Sequence, residues 1–197
     1  MYLISNMDFK CDRCGKCCKH RGDLALTPMD IFKISQHLNM SCEETVKKYT
    51  RLSHRHNFPQ IVLLSEGKQD TCVFYSKNCC KIYPVRPSQC YLFPLILLTS
   101  LSDPSPKFSI QKCYSKTRSE EQIPVQDWIS QSSGRFASEK ELLNWYILQF
   151  SRLEKICILH SDKLNIIKKI LYCDYDLSGD MELQVRTNLN KIFSADF

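Results

Sequence analysis

The densest chemistry in this chain is Cys11-x2-Cys14-Gly15-x-Cys17-Cys18, four thiols in one short segment. A Cys-x2-Cys pair lets two thiolates from one tight turn point at a single ion, because the intervening residues curl beneath the metal. Gly15, directly after the second cysteine, suits that turn because it tolerates positive φ. All four thiolates do not converge readily on one tetrahedral zinc, since the side chains of Cys17 and Cys18 start out in different directions. The natural geometry divides the knot, with some thiolates completing a site that other segments share. Those segments are present: Cys72, Cys79 or Cys80, Cys90 and Cys113 fall at the ends or flanks of predicted strands. Rigid flanking elements would fix the metal geometry. Cysteine is also a small, commonly buried hydrophobe. That plainer reading suits Cys42, Cys157 and Cys173, each in or at the end of an amphipathic helix, whereas the spacing of the knot favours metal.

The elements that must position these thiols are marked by local signals. Thr27 can cap a helix with Pro28 at its first position and Asp30 three residues after the cap. Ile31, Ile34 and Leu38 follow at helical spacing. A second capping box, Ser41 to Glu44, starts a helix expected to run through Val46 to Leu52. The apolar runs Ile61–Leu64, Cys72–Tyr75, Leu95–Leu101 and Phe108–Ile110 are of strand length. Glu66-Gly67 divides the first two and Asp103-Pro104-Ser105-Pro106 the last two, so two hairpins are expected. Beyond Pro124 the pattern turns helical, with a capping box at Ser138-Glu139-Lys140-Glu141 and an apolar face of Leu164, Ile167, Ile170 and Leu171. The fold class is α+β: a small cysteine-rich, metal-centred unit of short hairpins and helices, then a helical C-terminal part. The polar stretch Ser115–Gln122 is the boundary, which gives a metal-binding domain over 1–118 and a helical region over 119–197 packed on it.

Composition excludes several function classes. The 197 residues carry 43% apolar and 24% charged side chains, which suits a globular domain with a real core. The five glycines, at 15, 22, 67, 134 and 179, lie too far apart for a Walker A loop or a dinucleotide fingerprint. Twelve cysteines fall short of the density of a secreted disulfide scaffold. Met1–Lys10 shows neither a basic region nor an apolar run of signal-peptide length. A reducing compartment, the cytoplasm, is therefore expected. The uncharged run Pro87–Ser102, broken by Pro94, is short of a membrane span. The net charge of +6 is scattered, and it counts every cysteine as neutral, so nucleic acid is not an expected partner.

The motif Cys11-Asp12-Arg13-Cys14-Gly15-Lys16-Cys17-Cys18 resembles the CxxCGxCC signature of the YkgJ-type cysteine-cluster family of zinc- or iron-chelating domains. A second block agrees in order and spacing: Cys72-Val73-Phe74, Cys80-Lys81-Ile82-Tyr83, then Arg86-Pro87-x-x-Cys90-x-x-Phe93-Pro94. Two departures stand out: Tyr91 occupies the place where the family usually has arginine, and Cys79 is an additional cysteine. The resemblance implies ligation of zinc or a 4Fe-4S-type iron–sulfur cluster by Cys11, Cys14, Cys17, Cys18, Cys72, Cys80, Cys90 and Cys113. It also relates the chain to flagellin lysine N-methylases, which implies an alternative function: an iron–sulfur-dependent protein lysine N-methyltransferase using S-adenosylmethionine.

All-thiolate ligation suits zinc and iron–sulfur clusters alike. Cys11, Cys14 and Cys17 reproduce the first spacings of a bacterial ferredoxin run, but Arg21 stands at the fourth position. Arg86 and Tyr83 read first as braces of the turn before Pro87. The other reading has Arg86 donating to thiolate sulfurs or to an anionic substrate, with Tyr83 capping the site. His20 is a substitute ligand by position, and His54 and His56 belong to a basic loop. The acidic segment Asp174–Asp180 begins like an EF-hand loop, but Val185 stands where a bidentate glutamate is needed, so a polar turn is expected. A client protein is the partner that a metal-binding module would serve.

Overall fold

The computed structural model describes residues 6–9, 14–19, 24–53, 59–98, 107–110, 118–124, 127 and 136–194. Cys11, Cys113, His20, His54, His56 and the Asp103–Pro106 turn lie outside these residues.

The first helix, α1 (Pro28–Leu38), begins at the capping box read from the sequence. The Thr27 hydroxyl accepts from the Asp30 N–H, and the Asp30 carboxylate accepts from the Thr27 N–H. Asn39 ends the helix in the left-handed conformation, where its φ of 53° is tolerated by asparagine better than by most residues. α1 is buried on most of its circumference and packs against α2 (Cys42–Tyr49), α6 (Leu164–Tyr172), α7 (Met181–Ser194) and a 3-10 turn at Tyr83–Val85. The box at Ser41 and Glu44 starts α2 as expected. That helix does not reach Leu52. It ends at Tyr49, because Thr50 turns extended, places its hydroxyl on the Val46 carbonyl at 2.7 Å, and opens strand β2 (Thr50–Leu52).

β2 pairs antiparallel with β3 (Ile61–Leu63), whose three residues are all buried. Residues 24–26 line the other edge of β3: Leu26 N–H donates to Ile61, and Leu63 N–H donates to Leu24. Two small hairpins follow. In the first, β4 (Ser65–Glu66) pairs with β5 (Thr71–Cys72) across Gly67. In the second, β6 (Tyr75–Ser76) pairs with β7 (Cys79–Cys80). The run Cys72–Tyr75 is thus not one strand. Val73 and Phe74 form the corner between the hairpins, with Val73 N–H bonded back to Leu64 and Phe74 inserted into the core. Lys77 and Asn78, both at positive φ, close β6–β7, which is what a two-residue hairpin turn requires.

A short helix, α3 (Ser88–Leu92), leads through a cis Phe93–Pro94 bond to β8 (Leu95–Leu98). β8 pairs with β9 (Lys107–Ile110), Leu95 facing Ile110, as the second hairpin expectation requires. β10 (Arg118–Pro124), in the stretch read as a boundary, pairs antiparallel with β1 (Asn6–Phe9). The C-terminal part is helical: α4 (Phe136–Leu148), α5 (Phe150–Leu159), α6 and α7. Ser138 lies inside α4 rather than capping it; once a helical turn exists, adding residues at its N-terminal end costs little.

Side chains from both ends of the chain share one core. Ile31, Ile34, Ile61, Phe74 and Ile82 are buried with Leu142, Tyr146, Leu153, Ile167, Leu171, Val185 and Leu189. The fold is α+β, helices with short antiparallel hairpins and a helical C-terminal part. Among the described residues, no helix is long and apolar enough to cross a membrane.

Candidate metal centre

The turn that carries the knot is built by Gly15. Its φ of 70° is left-handed, and Cys18 N–H closes back on the Gly15 carbonyl at 2.9 Å to form a 3-10 turn over Lys16–Cys18. A second constraint on Gly15 comes from far along the chain. The Tyr75 ring lies directly on this glycine, and a Cβ there would overlap the ring and its hydroxyl. The Tyr75 hydroxyl stands 3.5 Å from the Cys14 carbonyl and 3.5 Å from Asn78 Oδ1. The second hairpin thereby covers the cysteine turn.

Around this cover the thiols gather. Cys14 is exposed and Cys17 and Cys18 are half-buried. Cys72 ends β5, Cys80 lies in β7 and Cys90 lies in α3; all three are half-buried at the margin of the core. Cys18 shows how close the segments come. Its thiol is pushed far above the ordinary range by a hydrogen bond with Cys17, then by burial, then by the charges of Cys17, Cys90 and Cys72. Cys79 is exposed although it adjoins Cys80, because successive strand residues point to opposite faces. The gathering is loose. Among the described residues, no three His, Cys, Asp or Glu side chains stand within reach of a single ion.

Two features set the position of Cys90. Asp30 is fully buried, and its carboxylate accepts four hydrogen bonds. One oxygen takes the Thr27 N–H and hydroxyl at 2.9 and 2.8 Å; the other takes the Ser88 N–H and hydroxyl, each at 2.9 Å. One carboxylate therefore caps α1 and pins the first residue of α3, two positions before Cys90. The Tyr91 hydroxyl donates to the Pro84 carbonyl at 2.8 Å and closes the loop that carries Arg86. Asp30 and Tyr75 are site-building residues that sequence reasoning did not single out for the centre. Asp30 was legible as a cap, but its bond to Ser88 is not a local one. Tyr75 left no signal beyond its place beside the cysteine motif.

The cysteines read as core filling are placed accordingly. Cys42 and Cys157 are buried, and Cys173 is half-buried at the end of α6. Burial raises the Cys42 and Cys157 thiols, the latter to about 11. The Asp174–Asp180 segment is a polar turn: the Asp176 carboxylate accepts from the Ser178 N–H and hydroxyl, and Val185 is buried.

The donor set fits zinc or an iron–sulfur cluster. It consists of sulfur and comes from three separated segments, and ionisation of its Cys18 thiol is opposed by Cys17, burial, Cys90 and Cys72, an opposition that a bound cation relieves.

Comparison with known proteins agrees with this chemistry. No solved structure matches the chain. The uncharacterized protein MJ0661 of Methanocaldococcus jannaschii is 30% identical over 95 residues, covering 46% of this chain and 47% of that protein. The chain thus spans about half the length of that curated relative. The CxxCxxCC family model, described as "Putative zinc- or iron-chelating domain", matches residues 10–127, a range that contains the knot, both small hairpins, Cys90 and Cys113. With the match covering more than half its length, the chain belongs to the CxxCxxCC family of zinc- or iron-chelating domains.

Proposed function

We propose that this protein is a metal-binding module in which Cys11, Cys14, Cys17, Cys18, Cys72, Cys80, Cys90 and Cys113 form one distributed thiolate set for zinc or an iron–sulfur cluster. The observation that carries this reading is the match of residues 10–127 to a zinc- or iron-chelating family, and it is supported by the Cys18 thiol, which is pushed up by Cys17 and by burial and then by Cys90 and Cys72 from other segments. Thiolate sulfur is the ligand that zinc and iron–sulfur clusters prefer. Residues 1–118 form the metal domain in this reading, and 119–197 supply helices that close its core. A reducing compartment, the cytoplasm, keeps the thiols available, and a client protein exchanges metal with the module.

Metal analysis and absorbance of anaerobically purified protein test this. Bound zinc, or iron with a visible charge-transfer band bleached by reductant, is the expected result. Cys14→Ser and Cys90→Ser should each lower the metal content, because each removes a ligand from a shared site. Full stoichiometry in both variants would overturn the distributed set, and protein that takes up neither metal would overturn the function.

A further inference from the structure

Arg86 is held in an arrangement that bracing a turn does not require. Its guanidinium carbon lies 4.4 Å from the centroid of the Tyr83 ring and 4.5 Å from that of Tyr91, so the planar group is clamped between two aromatic rings. The clamp is itself fixed, by Tyr91 on the Pro84 carbonyl and by Ser88 on Asp30. Within this clamp Arg86 Nε is buried, with no hydrogen-bonding partner among the described residues. A brace would spend its donors on turn carbonyls. An N–H taken out of water without an acceptor is costly, and proteins rarely leave one so.

The acceptor chemistry is indicated by where Arg86 sits. Its segment runs between the strand that carries Cys80 and the helix that carries Cys90. A zinc ion or cluster ringed by thiolates retains negative charge, and sulfur ligands in such centres accept hydrogen bonds from surrounding donors.

We propose that Arg86 is a positioning residue of the metal centre, its Nε–H donating to a metal-bound thiolate sulfur of the elements its segment joins. This rests on the metal-binding function proposed above. Tyr91 then has a role of its own: with Tyr83 it fixes the plane of the guanidinium, so that one donor faces the centre. Lysine cannot replace this group, because an ammonium is a point charge without the planar donor set.

The test uses the full chain, with zinc as the probe. In nitrogen-15-labelled protein, the Arg86 Nε–H resonance is expected to shift, and its exchange with water to slow, as zinc is added. In chelator competition, Arg86→Gln should keep the zinc stoichiometry but bind about 10–100-fold more weakly, the usual effect of removing an outer partner of a metal ligand. Arg86→Lys should restore little of that loss. If zinc binds while the Arg86 resonance stays in place and Arg86→Gln binds as tightly as wild type, the assignment is wrong and the metal-binding function stands. If wild-type protein takes up neither zinc nor iron, both fall. Should Arg86→Gln fail to fold, the wild-type resonance alone decides.

Discussion

Gly15 carries two constraints that differ in kind. One is conformational: its backbone is left-handed, a region that costs an L-residue about 1–2 kcal/mol. The other is steric, the Tyr75 ring lying where a Cβ would be. Gly15→Ala should therefore destabilise the protein by more than the backbone term alone. Adding Tyr75→Ala should recover the steric part and leave the conformational one, so the two substitutions combine non-additively. Urea denaturation of the two single variants and the double variant measures this coupling. Strict additivity would mean that the ring does not rest on the cysteine turn. Cys79 and Cys80 illustrate the same scale from the other side. They are identical residues, adjacent in sequence, and the strand alternation alone sends one to solvent and the other to the edge of the core.

Among the elements, the junction of α1 with α3 gathers four hydrogen bonds on one carboxylate. Buried charge is tolerated only when its lone pairs are satisfied, and Asp30 meets that condition through four donors from two segments. Asp30→Ala removes a cap and strands the Ser88 N–H, and its cost should be about 3 kcal/mol. Asp30→Asn should cost less, because its amide oxygen still accepts on one side. Chemical denaturation gives the stability. Chelator competition should show weaker zinc retention as well, because α3 loses the anchor that sets Cys90. An unchanged urea midpoint in Asp30→Ala would show that the carboxylate clamps nothing. The hairpins obey a looser rule. The β4–β5 and β6–β7 pairs are only two residues on each strand, too short to be stable alone. They hold because Phe74, at their corner, is buried against Tyr49, the ring centroids 4.6 Å apart.

For the molecule as a whole, the shared core predicts a specific response to alkali. Burial raises the Cys157 thiol to about 11, and the Cys173 thiol likewise to about 11, against 9.0 for an ordinary thiol. Burial raises Tyr146, Tyr172 and Tyr175 in the same direction. The folded chain thus holds these protons more tightly than the unfolded chain. The resulting stability is complete below about pH 9, where both states are protonated, and is lost as the pH rises through about 11. The melting temperature should fall over that interval, and Cys157→Val should flatten the fall. A melting temperature constant from about pH 8 to pH 11 would contradict the buried placement of these groups.

Much of the chain was legible because its signals are local. The capping boxes at Thr27 and Ser41 act over three residues, and the β8–β9 hairpin follows from two apolar runs around a proline-rich turn. The knot from Cys11 to Cys18 and the later block around Cys72, Cys80 and Cys90 announce soft-metal chemistry through residue type and spacing alone. The errors were also local signals, overruled by distant partners. The helix expected to reach Leu52 stops at Tyr49 because β3 offers Thr50–Leu52 a ladder, and Cys72–Tyr75 breaks because Phe74 is drawn into the core. The tertiary structure decided what joins segments far apart: Tyr75 on Gly15, Asp30 on Ser88, and Cys18 within electrostatic reach of Cys72 and Cys90. Helix caps and motif spacings are set by bonds between near neighbours, so the amino-acid order contains them. Which distant side chain fills a gap beside a glycine or a buried carboxylate depends on how the packed core routes the chain, and only the folded molecule contains that.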